Sequence, residues 1–135
     1  FLVNADPILL RQVFINLFTN AQQAMPAGGS LSVRGEHSRD QETVITVSDT
    51  GHGIDATDIP KIFDALHTTK TDGMGLGLSL CRDILRRHDG SIRMESSLAK
   101  GAIVTITLPH KENDLDNTVI SQDESHFVIA KSHAE

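Results

Sequence analysis

Apolar residues recur at helical spacing from the start of the chain, with Ile8, Leu9, Val13, Leu17, Ala21 and Ala24 falling on one side of a helical period. Asp6-Pro7 supplies an N-cap followed by proline at the first helical position, so the pattern predicts a helix from Pro7 to about Met25. Pro26-Ala-Gly-Gly29 stops it. The period then shortens. Residues 30–37 and 43–49 are alternating or β-branched, and the polar link 38–42 predicts that they pair as a hairpin. Residues 50–77 form a long stretch punctuated by glycine and threonine, with a short helix expected at 59–64. Loops of that length usually carry function. Leu76, Leu80, Ile84 and Leu85 mark another helix ending near His88, and Asp89-Gly90 turns the chain into strands at 91–96 and 102–108, with Gly101 making the turn between them. Beyond Pro109 the sequence is polar and acidic apart from Phe127-Val-Ile-Ala130, so 1–109 is expected to be one domain and 110–135 a tail or linker.

Composition narrows the function classes. At 135 residues, 39% hydrophobic and 22% charged, the chain has the make-up of an ordinary globular domain. A net charge of -6 argues against nucleic acid as a partner, so any phosphate must be held locally. No apolar run approaches the roughly 20 residues of a membrane helix, and no membrane contact by this domain is expected. The single cysteine, Cys81, has no internal partner and lies in an apolar segment, where a buried, inert thiol fits a reducing, cytoplasmic setting. The chain opens at Phe1 and runs almost at once into a helix, which reads as a piece of a longer polypeptide with room for sensor, membrane or partner domains upstream.

Three polar features stand out against this background. Asn16 and Asn20 are four residues apart in an apolar helical run, so both carboxamides fall on one face, one turn apart. Asparagine is a poor helix former, and a binding site on that face would explain the pair. Asp49-Thr-Gly-His-Gly53 follows directly on a predicted strand, where a carboxylate can accept a hydrogen bond from an exocyclic amine such as that of adenine, with Gly51 and Gly53 leaving room for a flat ring. Gly73-Met-Gly-Leu-Gly77 precedes a helix, and free amides at a helix start suit phosphate oxygens. Base at one end and phosphates at the other make a nucleotide. The dinucleotide fingerprint is excluded because position 78 is Leu78, and the Walker and protein-kinase patterns are missing.

The order of these pieces, an Asn-Leu-x-x-Asn-Ala helix, Asp-x-Gly-x-Gly, Ile62-Phe63-Asp64 with Thr68-Thr69-Lys70, and Gly-x-Gly-Leu-Gly-Leu, resembles the catalytic ATP-binding domain of bacterial sensor histidine kinases. That family lies in the wider ATPase superfamily of DNA gyrase, the heat-shock chaperone and the mismatch-repair ATPases. The resemblance covers residues 3–109, and the short segment from Thr68 to Gly73 and the Asn-Ala-Gln-Gln-Ala-Met ending are most similar to kinases of the nitrogen-regulation and oxygen-sensing type. It implies a two-layer α/β sandwich of the Bergerat type, a mixed, mostly antiparallel sheet with helices on one face. It implies ATP and Mg2+ as ligands, with Asn20 the principal metal ligand and Asn16 beside it on metal or phosphate. Asp49 would take the adenine amine, Gly51, Gly53 and Ile54 would shape the base pocket, and residues 63–77 would form a mobile lid. Within that segment Thr68, Thr69, Lys70, Gly73, Met74, Gly75, Leu76 and Gly77, with Leu78 after it, would lie along the nucleotide, Lys70 reaching the phosphates. The implied partners are a dimerisation domain carrying the phosphoacceptor histidine in the same full-length protein, and a response regulator downstream.

Departures from the family pattern sharpen the chemistry. Ala65-Leu66-His67 stands where many relatives have Pro-Phe-Phe, and Gln23 stands where many place a phosphate-contacting lysine, which shifts the expected positive charge to Lys70. Hydrolytic relatives carry a glutamate base where Asn16 stands, so phosphoryl transfer is expected over water activation. None of the seven histidines has the acidic neighbour and nearby proline of a phosphoacceptor. The alternatives are a serine kinase of the anti-sigma-factor type and a degenerate nucleotide-binding module.

Overall fold

The side chain of Asp6 opens the first helix. Its Oδ1 accepts from the amides of Ile8 at 2.9 Å and Leu9 at 3.3 Å, Pro7 follows, and α1 runs over Pro7–Ala24. This computed structural model describes residues 3, 5–64 and 77–110, and the backbone alone at 126–130. After α1 come β1 (Ser30–His37), β2 (Glu42–Asp49), a single 3-10 turn at Ile59–Lys61, α2 (Gly77–Arg87), β3 (Ser91–Ser96), β4 (Ala102–Pro109) and β5 (His126–Ala130). The helix expected at 59–64 is shorter, ending at Lys61 with Pro60 inside it.

The strands lie in the order β3-β4-β2-β1-β5, and every described pairing is antiparallel. β5 departs from the tail expected over 110–135. Its backbone pairs with β1 from Ser30↔Ala130 to Arg34↔His126, so an apolar run within a polar stretch covers the edge of β1 and becomes the outer strand.

Strand alternation divides the sheet into two faces. Val33, Ile45, Val47, Val104, Ile106, Leu108, Ile92 and Met94 are paired across the strands and face the helices. Against them α1 packs Val13 and Leu17, and α2 packs Cys81, Ile84 and Leu85, all buried. The opposite face carries Ser32, Arg34, Thr46, Ser48, Arg93 and Glu95, which makes the expected two-layer sandwich. Two apolar residues assigned to the helical stripes lie outside it: Ile8 is 78% exposed and Leu80 43%. Leu9 and Leu10 turn to the core in the first helix, and Leu78 and Cys81 in the second, which leaves Ile8 and Leu80 off the stripe.

Candidate functional site

Asp49 is the last residue of β2 and falls on the helix-facing side, in alternation with Val47 and Ile45. Its Oδ1 accepts from the amides of Gly51 at 2.8 Å and Ala102 at 3.3 Å. Oδ2 makes no hydrogen bond among the described residues. One oxygen therefore anchors the carboxylate and the other remains able to accept.

The loop after Asp49 is clamped from two sides. The His52 amide donates to the carbonyl of Ala24, at the end of α1, at 3.0 Å, and the His52 carbonyl accepts from Ala99 in the β3–β4 turn at 2.7 Å. The Ile54 amide donates to Ser96 Oγ at 2.8 Å, and that hydroxyl donates to the Gly101 carbonyl at 2.7 Å. Gly53 has φ +72°, and a Cβ there would strike the Ser97 carbonyl; Gly101 has φ +78°, and a Cβ would strike the carbonyl of Asp49. A Cβ on Gly51 would lie 2.6 Å from the Ala24 carbonyl oxygen. The space expected to be kept clear for a ring at Gly51 and Gly53 is thus filled by the chain itself. These glycines let the loop close on α1 and on the neighbouring turn, and so hold Asp49.

Along α1, Asn20 is one turn and Asn16 two turns back from Ala24, and both are half-buried. Eight residues of helix separate the loop contact at Ala24 from Asn16, about 12 Å at the α-helical rise. At the far end Asn16 meets α2. Its Nδ2 donates to the Gly77 carbonyl at 3.4 Å and approaches Cys81 Sγ at 3.7 Å, while its Oδ1 accepts from Gln12 Nε2 at 3.2 Å. The row of α1 side chains thus runs from the Asp49 loop to the first turn of α2.

Of the other expected site residues, Ile54 is half-buried beside Ser96, Gly77 opens α2, and Leu78 packs against the core. A Cβ on Gly77 would meet only Asn16 Cγ at 3.9 Å, so space alone does not require glycine there. Thr68, Thr69, Lys70, Gly73, Met74, Gly75 and Leu76 lie outside the described residues. Sequence reasoning missed Gln12 and Ser96. Gln12 was detectable, since it precedes Asn16 by the same helical turn that separates Asn16 from Asn20. Ser96 was not, because only the strand register brings it to the loop.

Cys81 is fully buried, and burial pushes its thiol up to about 11, which fits the expected inert role. No cluster of histidine, cysteine and acidic residues able to hold a metal occurs among the described residues, and no described helix is long and apolar enough to cross a membrane.

Residues 5–112 match the family model of the histidine kinase-, DNA gyrase B- and HSP90-like ATPases. The sensor histidine kinase ZraS of Salmonella typhimurium is 42% identical over 107 residues, covering 79% of this chain and 23% of the relative. The chain therefore spans about a quarter of that relative's length. Among solved structures, the catalytic domain of the histidine kinase ThkA superposes with a TM-score of 0.70 at 35% identity, over 79% of this chain and 70% of that one. Full-length ShkA in complex with AMPPNP gives 0.66 at 30% identity, over 75% of this chain and 21% of that one. By that match over most of its length and by these relatives, the chain belongs to the histidine kinase-, DNA gyrase B- and HSP90-like ATPase family, as a catalytic domain homologous to those of sensor histidine kinases.

Proposed function

We propose that this domain binds Mg-ATP and transfers the γ-phosphoryl group to a histidine on a separate dimerisation domain of its full-length protein, for onward transfer to a response regulator. The observation that carries this reading is Asp49, with one oxygen fixed by two backbone amides and the other able to accept, at one end of the α1 row that holds Asn20 and Asn16. Asp49 Oδ2 accepts from the adenine amine, and Ile54 lies against the base.

The triphosphate extends along α1 towards α2. Asn20, through its carboxamide oxygen, is the residue that would hold Mg2+, with Asn16 beside it. A donor set of neutral carboxamides fits an ion that takes most of its ligands from phosphates and water. When bound, that ion neutralises phosphate charge. Lys70 and the amides of Gly73, Gly75 and Gly77 add positive potential at the γ-phosphate, in a lid over 63–77 that also carries Thr68, Thr69, Met74 and Leu76. The acceptor imidazole nitrogen attacks the γ-phosphorus and ADP leaves. The crystallised relative ShkA, which carries AMPPNP, supports the nucleotide, and the absence of an acidic base at Asn16 supports transfer over hydrolysis.

The test supplies the chain with a dimerisation domain bearing the phosphoacceptor histidine and γ-labelled ATP. The expected product is acid-labile, base-stable label that disappears with Asn20→Ala. Acid-stable label would instead identify a serine kinase.

A further inference from the structure

We propose that Gln12 is a positioning residue of the nucleotide site, holding the Asn16 carboxamide so that its nitrogen latches α1 onto the first turn of α2. Three contacts fix the orientation. The Gly77 carbonyl can only accept, so the Asn16 atom facing it at 3.4 Å is Nδ2, which also lies 3.7 Å from Cys81 Sγ. Oδ1 is then turned to Gln12, which must present its own NH2, at 3.2 Å. Gly77 and Cys81 are four residues apart on α2, so the carboxamide spans that helix's first turn.

Loss of the Gln12 donor leaves Oδ1 without this partner in a half-buried position and leaves only the Gly77 contact to oppose a flip. A flipped carboxamide would face oxygen to oxygen at Gly77 and release the helix contact. Gln12→Glu is the sharpest probe, because it keeps shape and replaces the donor with a second acceptor. Cys81 lies beneath the latch with no exposure, so its thiol reports opening between the helices.

In nucleotide-free protein, modification of Cys81 by a small maleimide should run about fivefold faster in Gln12→Glu, the size expected for one net hydrogen bond. Gln12→Lys, which retains a donor, should stay near the wild-type rate. Gln12→Glu should add nothing further in an Asn16→Ala background. An unchanged rate in Gln12→Glu, an equal acceleration in Gln12→Lys, or the same effect with and without Asn16 would overturn the latch. Its effect on ligand rests on the Mg-ATP reading above: calorimetry should show about fivefold weaker Mg-ATP binding in Gln12→Glu, lost in the Asn16→Ala background. If wild-type protein bound no Mg-ATP, the Mg-ATP reading would fail while Cys81 labelling still decided the latch.

Discussion

The backbone amide of Asp6 donates to Nε2 of His88 at 3.0 Å. The same ring meets the Ile84 carbonyl through Nδ1 at 2.8 Å, and since a carbonyl only accepts, the proton sits on Nδ1 and Nε2 is the acceptor. One imidazole thereby ties the N-cap of α1 to the end of α2, 82 residues apart in sequence. His88→Phe keeps a ring and removes both nitrogens. It should cost about 1–2 kcal/mol, at about 1 kcal/mol per net hydrogen bond. Urea denaturation should show a lower midpoint with an unchanged slope.

Asp49→Asn separates the two roles of that carboxylate. An asparagine Oδ1 can still accept from Gly51 and Ala102, so the loop should hold its place and thermal stability should change little. The atom replacing Oδ2 is a donor and, in the proposed pose, would meet the adenine amine with the wrong polarity. ATP affinity should fall at least tenfold, or about 1.4 kcal/mol, by calorimetry. Unchanged affinity would remove Asp49 from base recognition.

Glycine substitutions should divide by location. Gly53→Ala and Gly101→Ala place a Cβ into the carbonyls of Ser97 and Asp49 at φ +72° and +78°, so each should cost on the order of 1–3 kcal/mol and weaken ATP binding by displacing Asp49. Gly77→Ala meets only Asn16 Cγ at 3.9 Å at the first position of α2, where alanine gains a fraction of the roughly 1 kcal/mol it gains in a helix interior. Melting temperatures of the three variants should therefore move in opposite directions.

The helices and four of the strands were legible in the sequence because their ends are written in residue chemistry. Asp6-Pro7 caps α1, Pro26-Ala-Gly-Gly29 ends it, and Gly101 turns β3 into β4. The alternating and β-branched runs at 43–49 and 102–108 marked β2 and β4, while the side that each buries, 45 and 47 with 104, 106 and 108, emerges only in the assembled sheet. β5 was not legible, since its four-residue apolar run has neither a period nor flanking turns to distinguish it from a stray hydrophobic stretch. At the site, Asp49 and the asparagine spacing were readable, whereas the reason for Gly51 and Gly53 was not. Their missing side chains face Ala24 and Ser97, contacts that exist only once α1, β2 and the β3–β4 turn are assembled.

His37 and His110 set a pH dependence. Their ring centroids are 5.3 Å apart at the end of the sheet where β1 and β4 flank the start of β2, and His37 Nδ1 is 3.1 Å from the hydroxyl of buried Thr43. Slight desolvation first, and repulsion from His110 second, hold the largely exposed His37 below its usual 6.5. The unfolded chain then binds the proton more readily than the folded one. The contribution is fully present above pH 6.5 and is lost as pH falls from there through the lower folded value. Asp55, held below its usual 3.8 by the Thr57 amide and hydroxyl, contributes stability that is present above that value and lost as pH falls through the lower folded one, so its window opens at lower pH than that of His37. His110→Gln removes the repulsion and leaves the desolvation, so it should shrink the loss of urea midpoint between about pH 7.5 and about pH 5 without abolishing it. His37→Gln should remove the whole of this contribution. An identical pH slope in wild type and His37→Gln would show that the ring pair does not couple to folding.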